Sequence, residues 1–355
     1  MTQNIPNTMK AVVLHDWNDL RYEEVETPRY GADEVLCRVL GCGICATDIH
    51  ITKGDFEGLY PPALPFIMGH EWFGEVVAVG DCADTFSVGD RVIGEPQKGC
   101  GSCARCLEGR YHLCMNSTRP DKGYKLYGHN VNGAYAEYVS VHEATLHAMP
   151  DNLGLEEGVS ACNVGIGTEA VRRGRINLGD DVLVIGVGLL GLIVLQLARI
   201  SGAGRIIAVG RGHRLEVAGR LGADVLVDRS RVNTVEQVMD ITGGLGVDVV
   251  FECAGAQEAV EQSLDCVRRG GRVLLAGLSR KMIPMDADRI VLDEIEVIGS
   301  RGAPNAVRES IALLAGGRIN VKPLVTHQLP LSEAVRGMEI FEKRLENVIR
   351  VALIP

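Results

Sequence analysis

Short runs in which apolar and polar residues alternate crowd the first 150 positions. They are KAVVLHD, EVLCRVLG, EVVAVGD, DRVIGE and GAYAEYVSV, each set off by Gly or Pro. Alternation with period two turns one strand face to a core and the other to water. Many such runs with turn residues between them predict an all-β, barrel-like domain. From about residue 180 the pattern changes. Residues 182–185 are continuously apolar, as a parallel strand covered on both faces requires, and 180–211 reads as strand, turn, helix, strand. Further strands are predicted at 224–228, 247–255, 271–277 and 295–300, with helices at 213–221, 233–242 and 256–268 between them. Six strands alternating with helices predict a doubly wound α/β sheet. The last strand is predicted at 348–354, back in the first domain. The expected division is therefore 1–160, 161–300 and a return over 301–355.

The turn after residue 185 carries chemistry. Gly186, Gly188 and Gly191 give G-x-G-x-x-G between a strand and a helix. The first glycine permits the tight turn. The second lets backbone approach a pyrophosphate, and the third lets helix pack on strand. The helix N-terminus then faces the phosphates. The next strand ends Ala208-Val209-Gly210-Arg211, where NAD binders usually carry an acid for the ribose hydroxyls. Here Gly210 leaves room and Arg211 can fork onto a 2′-phosphate, so NADP is expected over NAD. The competing reading leaves Arg211 as a solvated surface residue.

Composition narrows the rest. The 355 residues, 46% hydrophobic and 23% charged, suffice for two ordinary globular domains. A net charge of −10 argues against a nucleic-acid partner. The apolar stretch 182–198 has the length of a membrane span, but three glycines and a glutamine interrupt it and the nucleotide turn accounts for it. With no apolar leader in MTQNIPNTMK, a cytoplasmic protein is expected.

Eleven cysteines in such a chain point to metal or reactivity rather than disulfides. Cys100, Cys103, Cys106 and Cys114 are spaced C-x2-C-x2-C-x7-C among turn-prone residues. Four thiolates close a tetrahedron, which makes a structural zinc site with no position left for substrate. Ferredoxin runs also begin C-x2-C-x2-C, but they continue C-x3-C-P, whereas here the gap is seven and Met115 follows. A DNA-binding zinc ribbon is disfavoured by the charge. A second constellation is spread over GCGICATDIH, GHEWFGEVVAVG and SACNVGIGTEA, which hold Cys45, His70 with Glu71, and Cys162. Two thiolates, an imidazole and a vacancy would make a catalytic zinc site, although each residue alone has a bland reading as core or surface.

GHE-x2-G-x-V, C-x-T-D, the four-cysteine lobe (95–118) and the dinucleotide turn, in this order, resemble the zinc-dependent alcohol dehydrogenases of the medium-chain dehydrogenase/reductase superfamily. The resemblance covers essentially the whole chain. It implies a GroES-like catalytic domain, a Rossmann cofactor domain, one catalytic and one structural zinc, and a homodimer or homotetramer. By position it implies Cys45, His70 and Cys162 as catalytic zinc ligands and Glu71 as the acid behind the metal. It makes Asp48 the partner of the metal-bound histidine, Thr47 the hydroxyl that meets the substrate oxygen, and His50 the outer end of a proton relay. The polyol and threonine dehydrogenase branches often carry Glu-Pro where this chain has Glu95-Pro96. They replace the second cysteine ligand with an acid, while this chain has Cys162 between Ala161 and Asn163. The implied reaction is hydride transfer between NADP(H) and an alcohol (secondary alcohol, polyol or amino alcohol) or its carbonyl counterpart. A zinc-free quinone or enoyl reductase would lack both metal sites. A non-catalytic nucleotide-binding protein would have no need of Thr47, Asp48 and His50. Phe56, Leu59, Trp72 and Tyr127 are candidates for a substrate pocket or for core packing.

Overall fold

The structure, a computed structural model, describes residues 5–355. It divides into two compact units. One runs to Cys162 and takes in Val307–Ala315 and Val321–Pro355; the other is Asn163–Ala306 with Gly316–Asn320. The division falls inside a single helix, Leu155–Gly174.

In the first unit the alternating runs form Thr8–Asp16, Glu34–Gly43, Trp72–Val79, Arg91–Gly94 and Tyr138–His142. Glu34–Gly43 is the organising strand. One edge pairs antiparallel with Trp72–Val79. Along the other edge Tyr138–His142 takes the first half, and Arg350–Ile354 takes Cys42 and Gly43. The end of the chain is thereby pinned beside Gly43, two residues before Cys45. Leu14, Leu36, Ile44, Ile51, Met68 and Trp72 are fully buried around this arrangement. The strand Asp19–Glu26 is not signalled by its sequence, DLRYEEVE, which is rich in acids. It pairs with Thr8–Asp16 at the edge of a three-stranded sheet and stays half exposed, so its pairing partner rather than its own pattern makes it a strand.

The second unit is a six-stranded sheet in the order Val225–Asp228, Arg205–Gly210, Asp181–Ile185, Val247–Glu252, Val267–Leu275, Glu296–Gly299. All neighbours are parallel. The order places the first strand of the unit in the middle and reverses direction there, the switch point at which such sheets bind ligands. Register pairs Ile185 with Val209 and with Glu252, and Gly210 with Asp228. These strand ends therefore share one edge with the Gly186 turn. Among the described residues no helix is long and apolar enough to cross a membrane.

Candidate active site

Cys45 caps the helix Ala46–Thr52, and that short helix orders the site. The Asp48 carboxylate turns back to accept the Cys45 backbone N–H at 2.9 Å and the Tyr135 hydroxyl at 2.7 Å, both on Oδ2. Its other oxygen, Oδ1, lies 3.2 Å from His70 Nδ1. Asp48 is fully buried, and burial alone would raise its carboxyl; His70 and the bonds from Tyr135 and Cys45 outweigh this and hold it below the ordinary range. A carboxylate facing Nδ1 keeps the proton there and leaves Nε2 with a lone pair.

Nε2 lies 3.8 Å from Glu71 Oε1, while Glu71 Oε2 is paired at 2.8 Å with the fully buried Arg350 guanidinium. The donor atoms of Cys45, His70 and Glu71 all lie within 4.8 Å of one another. Sulfur, imidazole nitrogen and carboxylate oxygen converging on one point is a donor set that suits zinc. Cys162 is not in that group: its thiol donates to the Gly94 carbonyl at 3.1 Å. Burial, with the carboxylates of Glu95 and Glu71 adding to it, pushes that thiol well above its ordinary range. Thr47 Oγ1 stands 3.7 Å from Cys45 Sγ. His50 Nδ1 lies 2.6 Å from Asp55 Oδ2 and the imidazole is 37% exposed, so it reaches solvent.

Of the pocket candidates, Trp72 and Tyr127 are core, Tyr127 accepting the His142 backbone N–H at 2.8 Å. Leu59 is exposed, and buried Phe56 stacks on Tyr60 at 4.6 Å. The sequence reading missed two residues here. His129 is buried with its ring 4.6 Å from that of His70, and nothing marks a lone histidine as special. Arg350 had a signal, a cation inside the apolar run VIRVALI, because a charge among strand residues demands a buried partner.

The four thiols of the lobe form the other group. Cys100 and Cys106 sulfurs are 3.9 Å apart, and Cys103 and Cys114 sulfurs 3.8 Å. A tetrahedron with zinc–sulfur bonds of about 2.3 Å has sulfur–sulfur edges of about 3.8 Å. The thiols therefore hold zinc spacing rather than disulfide spacing. Backbone N–H groups point at the sulfurs, from Met115 to Cys103 at 3.4 Å and from Cys100 to Cys114 at 3.5 Å. Hydrogen bonds led by the Ser102 backbone hold Cys100 down at about 5, and the Met115 amide lowers Cys103, while burial pushes Cys106 up to about 12 and raises Cys114, so two of the four thiols are predisposed to the thiolate form. The lobe is anchored by Tyr111, whose hydroxyl donates to buried Glu95 at 2.5 Å.

In the second unit the glycines sit as a nucleotide turn requires. Gly186 has φ +97°, and a Cβ on Gly191 would stand 2.0 Å from the Gly186 carbonyl oxygen. A Cβ on Gly188 would meet nothing within 4 Å, so backbone is open to an approaching group where the helix Leu189–Ile200 begins. This fits a dinucleotide pyrophosphate. Arg211 is exposed and precedes the helix Gly212–Arg220. An acid does stand close, though not where the sequence reading looked for it. Asp228, on the adjacent strand end, takes the Ser230 amide and hydroxyl at 3.0 and 2.6 Å and pairs with Arg231 at 3.3 Å. Those Ser230 bonds, with Arg231 and Arg211, hold its carboxyl below the ordinary range.

A Rossmann sheet with a glycine turn and, in the same chain, a β unit carrying thiol–imidazole–carboxylate and tetrathiol groups define a metal-dependent nicotinamide dehydrogenase. Residues 31–151 match the alcohol dehydrogenase GroES-like domain and residues 190–316 the zinc-binding dehydrogenase family. The chain is 35% identical over 357 residues to a sorbitol dehydrogenase of Bacillus subtilis (strain 168), covering 100% of this chain and 99% of the relative. It is 36% identical over 356 residues to a D-arabitol-phosphate dehydrogenase of Enterococcus avium, covering 98% and 97%. Among solved structures it resembles a protein of Sinorhizobium meliloti 1021 described as a zinc-binding dehydrogenase and bound to NADP, with TM-score 0.90, 31% identity and coverage of 99% and 100%. The chain belongs to the zinc-dependent alcohol dehydrogenase family of the medium-chain dehydrogenase/reductase superfamily, and it is an alcohol oxidoreductase that uses zinc and a nicotinamide dinucleotide.

Proposed function

We propose that the protein oxidises a polyol or related secondary alcohol with NADP⁺, and reduces the matching carbonyl with NADPH. The observation that carries this is the convergence of Cys45, His70 and Glu71 beside Thr47 and His50. Its polyol-type relatives and an NADP-bound neighbour support the substrate class and the cofactor. Cys45 and His70 would hold the catalytic zinc together with Glu71. Cys162 enters the ligand set only by giving up its bond to Gly94 O. The four-thiol lobe would hold the structural zinc. Zinc supplies Lewis acidity toward the substrate oxygen, and nicotinamide supplies the hydride exchange.

The chain's own residues do the rest. Thr47 accepts the hydroxyl proton, and His50, steadied by Asp55, passes it to solvent. A bound nicotinamide would take the carbinol hydrogen together with its C–H electron pair, as hydride, and the O–H electron pair would close the carbonyl. Asp48 keeps His70 in the Nδ1–H tautomer throughout. In the other unit Arg211 would pair with the 2′-phosphate. Asp228 is already engaged with Ser230 and Arg231, so it competes little for that role.

A cytosolic setting suits so many reduced thiols. A homodimer is favoured by the free sheet edge: among the described residues Glu296–Gly299 pairs on one side only, and Val291 and Leu292 just before it are exposed. The test is a panel of polyols, secondary alcohols, amino alcohols and carbonyls with both cofactors, followed by nicotinamide absorbance. Turnover of a polyol or secondary alcohol with NADP⁺ ahead of NAD⁺ is expected. Zinc-loaded protein inert across the panel, or activity surviving loss of the catalytic zinc, would refute the proposal.

A further inference from the structure

We propose that Val187 is a specificity-determining residue, because its side chain occupies the place where an acid at position 210 would have to begin. The inference rests on the NADP reading above and deepens it. Gly210 ends the strand Arg205–Gly210, the position from which an acid would reach the ribose hydroxyls of NAD. Its backbone is not among the left-handed residues, so conformation alone does not demand glycine there. Space does. A Cβ built on Gly210 would stand 2.1 Å from Val187 Cγ2 and 3.4 Å from Val187 Cβ. Contacts under 3.0 Å do not occur in real structures, so one partner must move. Valine is branched at Cβ and stiff about χ1, unlike a long side chain whose tip can swing away. It is also only 4% exposed, which leaves its methyl groups little room to rotate into.

The backbone has no freedom to yield either. Gly186 N–H donates to the Val209 carbonyl at 3.0 Å, and Arg229 N–H to the Gly210 carbonyl at 3.1 Å, so turn and strand end are tied together. The x of G-x-G and the last residue of the second strand are thus one packed pair. With valine at 187, position 210 accepts only glycine, the acid is excluded, and Arg211 is left as the nearest charge to the ribose. The lock lies in an uncharged residue that acts on the Cβ of position 210 and not on the ribose or its phosphate. Val187 is therefore a positioning residue for the 2′-phosphate subsite.

The test compares Gly210→Asp, Val187→Ala/Gly210→Asp, Gly210→Ala and Val187→Ala/Gly210→Ala with the parent, in full-length zinc-loaded protein. NADP⁺ and NAD⁺ binding are measured by calorimetry, and Tm by thermal unfolding. Overpacking in Gly210→Asp and Gly210→Ala should lower Tm by roughly 2–10 °C, and Val187→Ala should restore most of that. Gly210→Asp alone should lose NADP⁺ affinity about tenfold or more without gaining NAD⁺; the double variant should gain NAD⁺ affinity about tenfold over it. The proposal is overturned if Gly210→Asp binds NAD⁺ tightly with unchanged Tm, or if Val187→Ala rescues neither Tm nor binding. If Gly210→Asp fails to fold, the alanine pair decides through Tm alone: rescue by Val187→Ala supports the lock and its absence refutes it. A parent chain that binds both cofactors equally would remove the NADP reading, while the Tm rescue would still decide whether Val187 excludes a side chain at 210.

Discussion

Asp48→Asn separates geometry from charge at the metal centre with a change of one atom. The carboxylate now serves three donors on two oxygens: Cys45 N–H and Tyr135 O–H on Oδ2, and His70 Nδ1 opposite Oδ1. An amide offers one oxygen. If that oxygen stays with Cys45 and Tyr135, the amide N–H₂ faces His70 Nδ1, which must then give up its proton and become an acceptor. The proton moves to Nε2 and removes the lone pair that a metal needs. If the amide flips, its N–H₂ meets the Cys45 N–H, and a fully buried donor pair is left facing itself. An unsatisfied buried donor costs about 1–3 kcal/mol, and loss of a partner behind a metal-bound histidine typically costs 10–100-fold in metal affinity, about 1.4–2.7 kcal/mol. The first orientation predicts weaker zinc binding at Cys45, His70 and Glu71 and unchanged binding at the tetrathiol lobe; the flipped one keeps the His70 tautomer and costs folding stability instead. Competition against a chromophoric chelator reads both, and the tetrathiol site serves as internal control. A variant with parental Tm that binds zinc at both sites as tightly as the parent would refute the assignment of Asp48 as the residue that sets the His70 tautomer.

Three further outcomes are expected. Cys45→Ser should lose catalytic zinc and turnover with its circular-dichroism spectrum and Tm near those of the parent; a collapse of stability would count against a catalytic role. Arg211→Ala should weaken NADP⁺ binding by about ten- to a hundredfold, the contribution of a charge-assisted bond to phosphate, while moving NAD⁺ binding less than about twofold in calorimetry. Gly191→Ala places a Cβ 2.0 Å from the Gly186 carbonyl oxygen, backbone against backbone, so nothing soft can yield. Denaturant unfolding should show a loss above about 3 kcal/mol and calorimetry no nucleotide binding; a variant with parental stability would show that the turn tolerates what its geometry forbids.

The parts of the fold that the sequence foretold are those whose pattern is made locally. A parallel strand covered on both faces must be apolar throughout, so 182–185 announced itself, and three glycines followed by an apolar helix left one reading of the turn. Asp19–Glu26 could not announce itself, because an edge strand with water on one side needs a partner more than a pattern. The long helix Leu155–Gly174 was hidden for a different reason. Its sequence, LEEGVSACNVGIGTEAVRRG, holds four glycines counting its last residue, each unfavourable in a helix interior by about 1 kcal/mol relative to alanine. Packing supplies the reason for some of them: a Cβ at Gly158 would stand 2.5 Å from the Phe73 ring, and one at Gly174 2.6 Å from that of Phe251. Tertiary contact thus selects glycine where propensity opposes it.

At the site the same division holds between motif and environment. The grouping of Cys45 with His70, and of the four lobe cysteines with one another, was legible because metal ligation would restrict residue type and spacing at once. The position of Cys162 within the chain was legible too, but the state of its thiol was not. That state depends first on burial, then on the negative charge of Glu95 and Glu71, both of which disfavour its ionisation, and on Gly94 O, which accepts its hydrogen bond. Arg350 acts on the neighbouring candidate. It holds Glu71 Oε2 at 2.8 Å, while Oε1 lies 3.8 Å from His70 Nε2. One candidate ligand is thus oriented by a buried cation from the last strand, while the other is kept protonated by burial and two carboxylates and bonded to a carbonyl. A ligand set of Cys45, His70 and Glu71 needs no rearrangement from this arrangement, whereas bringing in Cys162 requires a proton to leave and a hydrogen bond to break. The choice between the two is set by groups 67 to 279 positions away in sequence (Glu95 from Cys162, Arg350 from Glu71), beyond the reach of any spacing rule.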